Sequence, residues 1–277
     1  KRNFNEPIWE NDEGLRYLQL TLAPLGVARV QRTLVELIIK GILDLKKKKW
    51  KIGFIERDIP CAGLAVKDIK KVFDNIYQLM GSNKHLPSIE YSIFSTNEFS
   101  DCQLNNDEQL DRYPKAQKDY NLDVLIDISI LQRSGLTNID KEFKSKVQSK
   151  NIVIIRSIHS EKSERQIKSS KPIKYNVSDD EQPPALVYFL QNIFRKNDFR
   201  PGQVKIIQRA LSQDNVIALL PTGAGKSLTY QLSAILQPGI VMIVDPLVSL
   251  MKDQNDNLRS SGMDSTAFIN KTIKTSA

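Results

Sequence analysis

The chain has 277 residues, 40% apolar and 26% charged, and forty Lys and Arg against thirty-two Asp and Glu give a net charge of +8. That length suggests about two domains with real cores, and no apolar run approaches the roughly 18 residues needed to span a membrane. Two cysteines, Cys61 and Cys102, and two histidines, His85 and His159, show no metal-ligand spacing, which argues against a zinc site and for reduced thiols in a cytoplasmic protein.

Val27, Val30, Leu34, Leu37, Ile38 and Ile42 recur at helical spacing and predict an amphipathic helix over 25–47. The run Lys46-Lys47-Lys48-Lys49-Trp50 follows. It reads first as a solvated helix end whose cations complement the dipole, with base stacking on Trp50 as the alternative. A strand is predicted over Trp50–Ile55. A second helix covers Leu64–Met80, with Ile69, Val72, Phe73, Ile76 and Leu79 on one side, and further strands cover Ser88–Phe94, Val124–Ile130 and Ile152–Ile155. Residues 101–120 are polar and read as an exposed loop. Strands alternating with helices indicate an α/β accessory domain over 1–159 whose strand order cannot be deduced.

Two carboxylate pairs in this part invite a metal-dependent nuclease reading: Glu56 with Asp58 at a strand end, and Asp123 with Asp127 around another strand. No Asp/Glu-x-Lys element follows a strand, because Asp68-Ile69-Lys70 falls within the predicted helix. Acidic strand ends also serve turns and solubility. Nucleic-acid binding or partner docking is the favoured role for this domain.

Residues 160–184 are rich in Ser, Lys, Glu and Asp and end in Pro183-Pro184, a linker composition. Beyond them, Leu186, Phe189, Leu190, Ile193 and Phe194 form a helix stripe. Residues 185–277 hold ten basic and six acidic residues and the preceding part thirty and twenty-six, so each carries +4 of the total. A basic balance suits a nucleic-acid partner, through neutralised phosphates and released counterions.

The apolar run Asn215-Val216-Ile217-Ala218 leads into Leu219-Leu220-Pro221-Thr222-Gly223-Ala224-Gly225-Lys226-Ser227. This predicts a strand, a phosphate-binding loop and a helix beginning at Lys226. Gly223 and Gly225 let backbone N–H groups close on polyphosphate, Lys226 reaches the β- and γ-phosphates, and the Ser227 hydroxyl holds Mg²⁺. The helix N-terminus points its positive end at the same anion. Leu220 stands where the full G-x-x-x-x-G-K-[ST] pattern has glycine, so Thr222 to Ser227 matches only the T-G-x-G-K-[ST] half.

Upstream stands Phe199-Arg200-Pro201-Gly202-Gln203, and downstream Asp245-Pro246-Leu247-Val248-Ser249-Leu250-Met251-Lys252-Asp253-Gln254. With the loop between them, these blocks resemble the start of the first motor domain of RecQ-like superfamily-two DNA helicases, over about residues 185–273. The resemblance implies the first part of a RecA-like P-loop parallel sheet domain and ATP with Mg²⁺ as cofactors. It also implies single-stranded DNA or duplex junctions as partner. By the same resemblance Arg200 lies on adenine and Gln203 pairs with its edge, Thr222, Gly223, Ala224, Gly225, Lys226 and Ser227 hold the phosphates, and Ser249 and Lys252 meet the DNA backbone. Asp245 departs from the pattern, and its carboxylate would repel a phosphate. The family's Phe-Gly-Tyr string reads Phe194-Arg195-Lys196 here, and Lys196 cannot stack as an aromatic does. Leu247, Leu250, Met251 and Leu258 are expected to pack a helix onto the sheet.

A motor ATPase also needs an Asp-Glu pair at a strand end. The pairs present, Asp12-Glu13, Asp107-Glu108 and Asp180-Glu181, all precede the loop. With no initiating methionine and no second motor domain, the chain is expected to be a fragment of a longer helicase, binding ATP weakly without turnover. The alternative is a nuclease or interaction module whose loop senses nucleotide.

Overall fold

The computed structural model describes residues 24–39, 43–56, 62–82, 85–95, 102–105, 120–129, 147–149, 152–156, 171–260, 263 and 266–269. Its class is α/β. Strand β1 (Lys49–Glu56) lies at the middle of a sheet with β2 (Ser88–Ser95), β3 (Cys102–Asn105), β5 (Val124–Ser129) and β7 (Ile152–Arg156), in the order β3-β2-β1-β5-β7. Ile52 of β1 sits opposite Tyr91 and Val124 in two parallel pairings, β7 runs parallel to β5, and only β3 is antiparallel. A short parallel pair, β4 (Tyr120–Leu122) with β6 (Val147–Ser149), stands apart. Helix α1 (Pro24–Ile39) precedes β1, and α2 (Ala62–Leu79) makes the crossover from β1 to β2 that a parallel pair requires.

Four helices follow: α3 (Pro184–Ile193), α4 (Gln203–Leu211), α5 (Lys226–Ile235) and α6 (Val248–Ser260). Pro184 opens α3 at a position whose N–H has no intrahelical partner, which is where proline fits. The stripe Leu186, Phe189, Leu190 and Ile193 is buried and packs α3 against α1 and α2. One core therefore runs from Ile52, Phe54 and Phe73 through Phe189 to Leu211 and Leu232.

The predicted strands and helices of the first 156 residues stand within a few positions, with three differences. Helix α1 ends at Ile39 because the chain turns at 43–48, where Leu43 N–H donates to the Leu37 carbonyl (2.8 Å) and the Asp44 carboxylate accepts Lys46 N–H (2.9 Å). The lysine run therefore lies in this turn and the first residue of β1, not at a helix end. Trp50 is buried (4% exposed) beneath Lys47, whose ammonium lies 4.4 Å from the ring centroid, so it offers no face to a base. Finally, the range read as a loop, 101–120, holds β3; residues 106–119 lie outside those described.

A larger difference concerns the motor segment. Residues 215–218, expected as a strand, join no ladder, and neither do 240–245. A strand exists only by pairing, and among the described residues nothing runs alongside. Ile217 (96% exposed), Leu219, Met242 and Val244 face solvent. The apolar stripe of α6 lacks a sheet to cover: Leu247 and Leu250 are exposed, and Leu258 alone of the four packs against the core.

Within the range read as a linker, residues 173–176 are fastened by seven hydrogen bonds, five of them 3.0 Å or shorter. Ile173 N–H donates to Gln237 Oε1 (2.9 Å) and its carbonyl accepts from Gln237 Nε2 (2.7 Å). Tyr175 N–H donates to the Leu211 carbonyl (3.0 Å), its hydroxyl to the Leu236 carbonyl (2.6 Å), and Asn176 N–H to the Leu79 carbonyl (2.8 Å). Tyr175 is buried (1% exposed), and burial pushes its hydroxyl pKa upward, keeping it a donor.

Three helices also meet through one amide. Gln31 of α1 donates to Asp68 of α2 (Nε2 to Oδ2, 2.5 Å), and its Oε1 accepts the Tyr188 hydroxyl of α3 (3.1 Å). Burial raises the Asp68 pKa well above the usual range, opposed by the charge of Lys71 and the bond from Gln31. Unfolded, Asp68 releases its proton near pH ~4. Folded, it holds that proton to higher pH, so the folded state binds more protons between the two values and stability falls as pH rises through that window. Asp68→Asn is expected to flatten this slope. Urea unfolding across pH 4–7 checks it, and an unchanged slope would refute it.

Candidate nucleotide-binding site

Helix α5 begins at Lys226 behind Gly225, which caps it in the left-handed conformation (φ 76°). Gly223 is also left-handed (φ 81°). These are the positions where a side chain would be strained, so the loop has its shape because both are glycine. A Cβ on Gly223 would meet nothing within 4 Å, whereas one on Gly225 would lie 2.7 Å from Gln203 Nε2. Thr222 and Lys226 are exposed and Ser227 half-buried. Ala224 N–H closes a turn onto the Pro221 carbonyl (3.2 Å), and the Thr229 hydroxyl donates to the Lys226 carbonyl (2.7 Å), fixing the first turn of α5.

Arg200 and Gln203 come to this loop from the start of α4. Gln203 Nε2 donates to the carbonyls of Ala224 (2.9 Å) and Gly225 (3.0 Å), its Oε1 accepts Arg200 N–H (2.8 Å), and Arg200 Nη1 donates to the Gly223 carbonyl. Six of the predicted site residues, Arg200, Gln203, Gly223, Ala224, Gly225 and Lys226, thus adjoin one another. Leu220, standing at the missing glycine, fills space instead: its Cδ2 would be 3.1 Å from a Cβ on Gly202.

Ser249 and Lys252 lie three apart on the exposed first turns of α6. Asp245 accepts Leu247 N–H (3.0 Å), so the departing carboxylate shapes the approach to the helix. The Tyr230 hydroxyl donates to Gln254 Oε1, a link between α5 and α6 that no motif signals. Arg195, in the place of the family's glycine, ends α3 with φ 55°, while Phe194 N–H and Lys196 N–H donate to the Leu190 carbonyl (3.1 and 3.4 Å). Left-handed Arg195 is not a glycine and carries some backbone strain. Lys196 is exposed.

Of the four carboxylates weighed for a nuclease, only Asp123 has a described side chain. Asp123 accepts Lys51 N–H (3.0 Å) and pairs with Lys47 (2.6 Å), so it secures β1 at its entry. Asp68 lies within α2, held by Gln31. Glu56 and Asp127 belong to β1 and β5, whose ends here are described only in backbone, and Asp58 lies outside the described residues. Among the described residues no group of three or more His, Cys, Asp or Glu comes together, and no helix is long and apolar enough to cross a membrane.

Comparison with known proteins locates the same segment. The DEAD/DEAH box helicase family matches residues 200–276. The chain is 40% identical over 100 residues to the ATP-dependent DNA helicase Q-like 4B of Arabidopsis thaliana, covering 36% of this chain and 9% of that protein. It is 39% identical over 89 residues to the ATP-dependent DNA helicase RecQ of Haemophilus influenzae, covering 32% and 14%. With the probable ATP-dependent DNA helicase RecS of Bacillus subtilis it shares 44% identity over 84 residues, covering 30% and 17%. The chain thus spans 9 to 17% of the length of these curated relatives. No solved structure gives a significant match. The C-terminal third of the chain, which carries the glycine loop and its Arg-Gln neighbour, is thus similar to RecQ-like DEAD/DEAH box helicases.

Proposed function

We propose that residues 199–260 bind ATP with Mg²⁺ as the opening part of a RecQ-like ATP-dependent DNA helicase, and that α6 meets the DNA backbone. The observation that carries this reading is the left-handed Gly223 and Gly225 at the N-terminus of a ten-residue helix, with exposed Lys226 next in line. Such an arrangement aims backbone N–H groups and the helix dipole at one point in solvent, which suits a polyphosphate. Lys226 supplies a mobile cation for the outer phosphates, and Ser227 supplies a hydroxyl for the metal. Exposed Ser249 and Lys252 suit a phosphate backbone. The relatives' names, all ATP-dependent DNA helicases, support the same nucleotide and partner. Residues 1–159 serve in this reading as an accessory domain for nucleic acid or a partner protein.

Titration of the chain with a fluorescent ATP analogue and Mg²⁺ tests the nucleotide half. Saturable binding is expected, weakened at least about tenfold by Lys226→Ala, since a charge-assisted contact contributes about 1.5–3 kcal/mol. Equal binding by the variant would refute the assignment.

A further inference from the structure

The geometry points to the lysine turn at the entry of β1 as a second nucleic-acid surface, one that grips phosphates and reads no bases. The inference deepens the accessory role proposed for residues 1–159, and its polyanion, DNA, rests on the helicase reading of the C-terminal third. Five lysines occupy the six positions from Lys46 to Lys51. Two are neutralised within the fold: Lys47 pairs with Asp123 (2.6 Å) and lies over Trp50, and Lys49 pairs with Glu90. The other three, Lys46, Lys48 and Lys51, are exposed, and among the described residues no carboxylate pairs with their ammonium groups. Asp44, the remaining acid of the turn, accepts Lys46 N–H (2.9 Å) instead.

The backbone is held at each of the three positions. Beyond the Asp44 bond to Lys46, the Lys48 carbonyl accepts Ser88 N–H (2.9 Å), Lys51 N–H donates to Asp123 Oδ2 (3.0 Å), and the Lys51 carbonyl accepts Asp123 N–H (2.9 Å). Three cations are thereby kept on one short stretch of surface, although like charges so close repel one another. A helix end would account for such a run through its dipole, but α1 stops at Ile39, before the turn begins. A polyanion accounts for it directly, because closely spaced phosphates neutralise the cluster and release their own counterions. Trp50, the one aromatic of the run, is buried, so binding here is indifferent to base sequence.

Fluorescence anisotropy of the full chain with a labelled thirty-nucleotide oligothymidine, at about 50 and 200 mM KCl, tests the surface. The triple variant Lys46→Gln, Lys48→Gln, Lys51→Gln loses three phosphate contacts, each contributing about 0.7 to the slope of log affinity against log salt for a single strand. Its slope is expected to be shallower by about 2, so that the rise in salt weakens the unaltered chain about 20-fold more than the variant. A charge-matched variant, Lys171→Gln, Lys174→Gln, Lys205→Gln, removes the same charge from exposed side chains elsewhere and is expected to keep the full slope. Equal slopes in the two triple variants would show that net charge alone attracts DNA and would overturn the inference. Loss of binding to phosphatidylserine vesicles in the first variant, with its DNA slope unchanged, would overturn it in favour of a membrane surface. Failure of the unaltered chain to bind DNA while it binds the ATP analogue would overturn the inference and leave the nucleotide reading standing, whereas failure to bind either would overturn both.

Discussion

Gly225→Ala is expected to reduce ATP binding by more than about a hundredfold, while Gly223→Ala costs about tenfold or less. Both glycines have positive φ, so both substitutions carry the backbone penalty of a left-handed L residue, about 1–2 kcal/mol. They differ in surroundings. A methyl at 223 meets open space, but one at 225 arrives 2.7 Å from Gln203 Nε2, well inside van der Waals contact. Gln203 cannot yield cheaply, because it is buried and bonded at both ends of its amide. The alanine variant must either distort the cap of α5 or release the loop carbonyls. Titration of both variants with the same labelled analogue decides the matter, and equal affinities would show that steric contact with Gln203 is not what Gly225 avoids.

Phe189→Ala is expected to lower the free energy of unfolding by about 3–5 kcal/mol, the cost of removing a fully buried aromatic. Phe189 is 0% exposed, touches Tyr188 edge-on at 5.2 Å, and lies where α3 meets α1 and α2. Against a typical total of about 5–15 kcal/mol, such a loss removes much of the stability. Since its core is continuous from the sheet to α4 and α5, one cooperative urea transition should move as a whole. Two transitions, only one of them shifted, would contradict a shared core.

The elements legible in the sequence were those whose signal is local. Helix α2 and strands β1, β2, β5 and β7 carry long apolar periodicities, and the loop from Thr222 to Ser227 carries its own backbone requirements in its glycines. What escaped was set by distant partners. Strand β3 is four residues of mixed polarity, and only pairing with β2 makes it a strand. Ile217 reads as a strand residue, yet among the described residues no ladder includes it. Trp50 looked available because a lysine run precedes it, but its burial depends on β1 lying in the sheet. Tyr175 sat in a polar stretch that masked it, and it is held by the carbonyls of Leu211 and Leu236 at two separate helix ends. Arg200 and Gln203, expected on adenine, stand beside the loop, and their bonds to its carbonyls had no sequence signature.

The fastening of residues 173–176 also says where the polypeptide can be cut. A scissor placed at the Pro183-Pro184 pair would leave the C-terminal piece without Tyr175, with the Leu211 and Leu236 carbonyls bared and Gln237 missing both of its Ile173 bonds. A cut before Lys171 instead keeps the strap with α4 and α5, at the loss of the Asn176 bond to Leu79 and of the burial of Phe189 against α1 and α2.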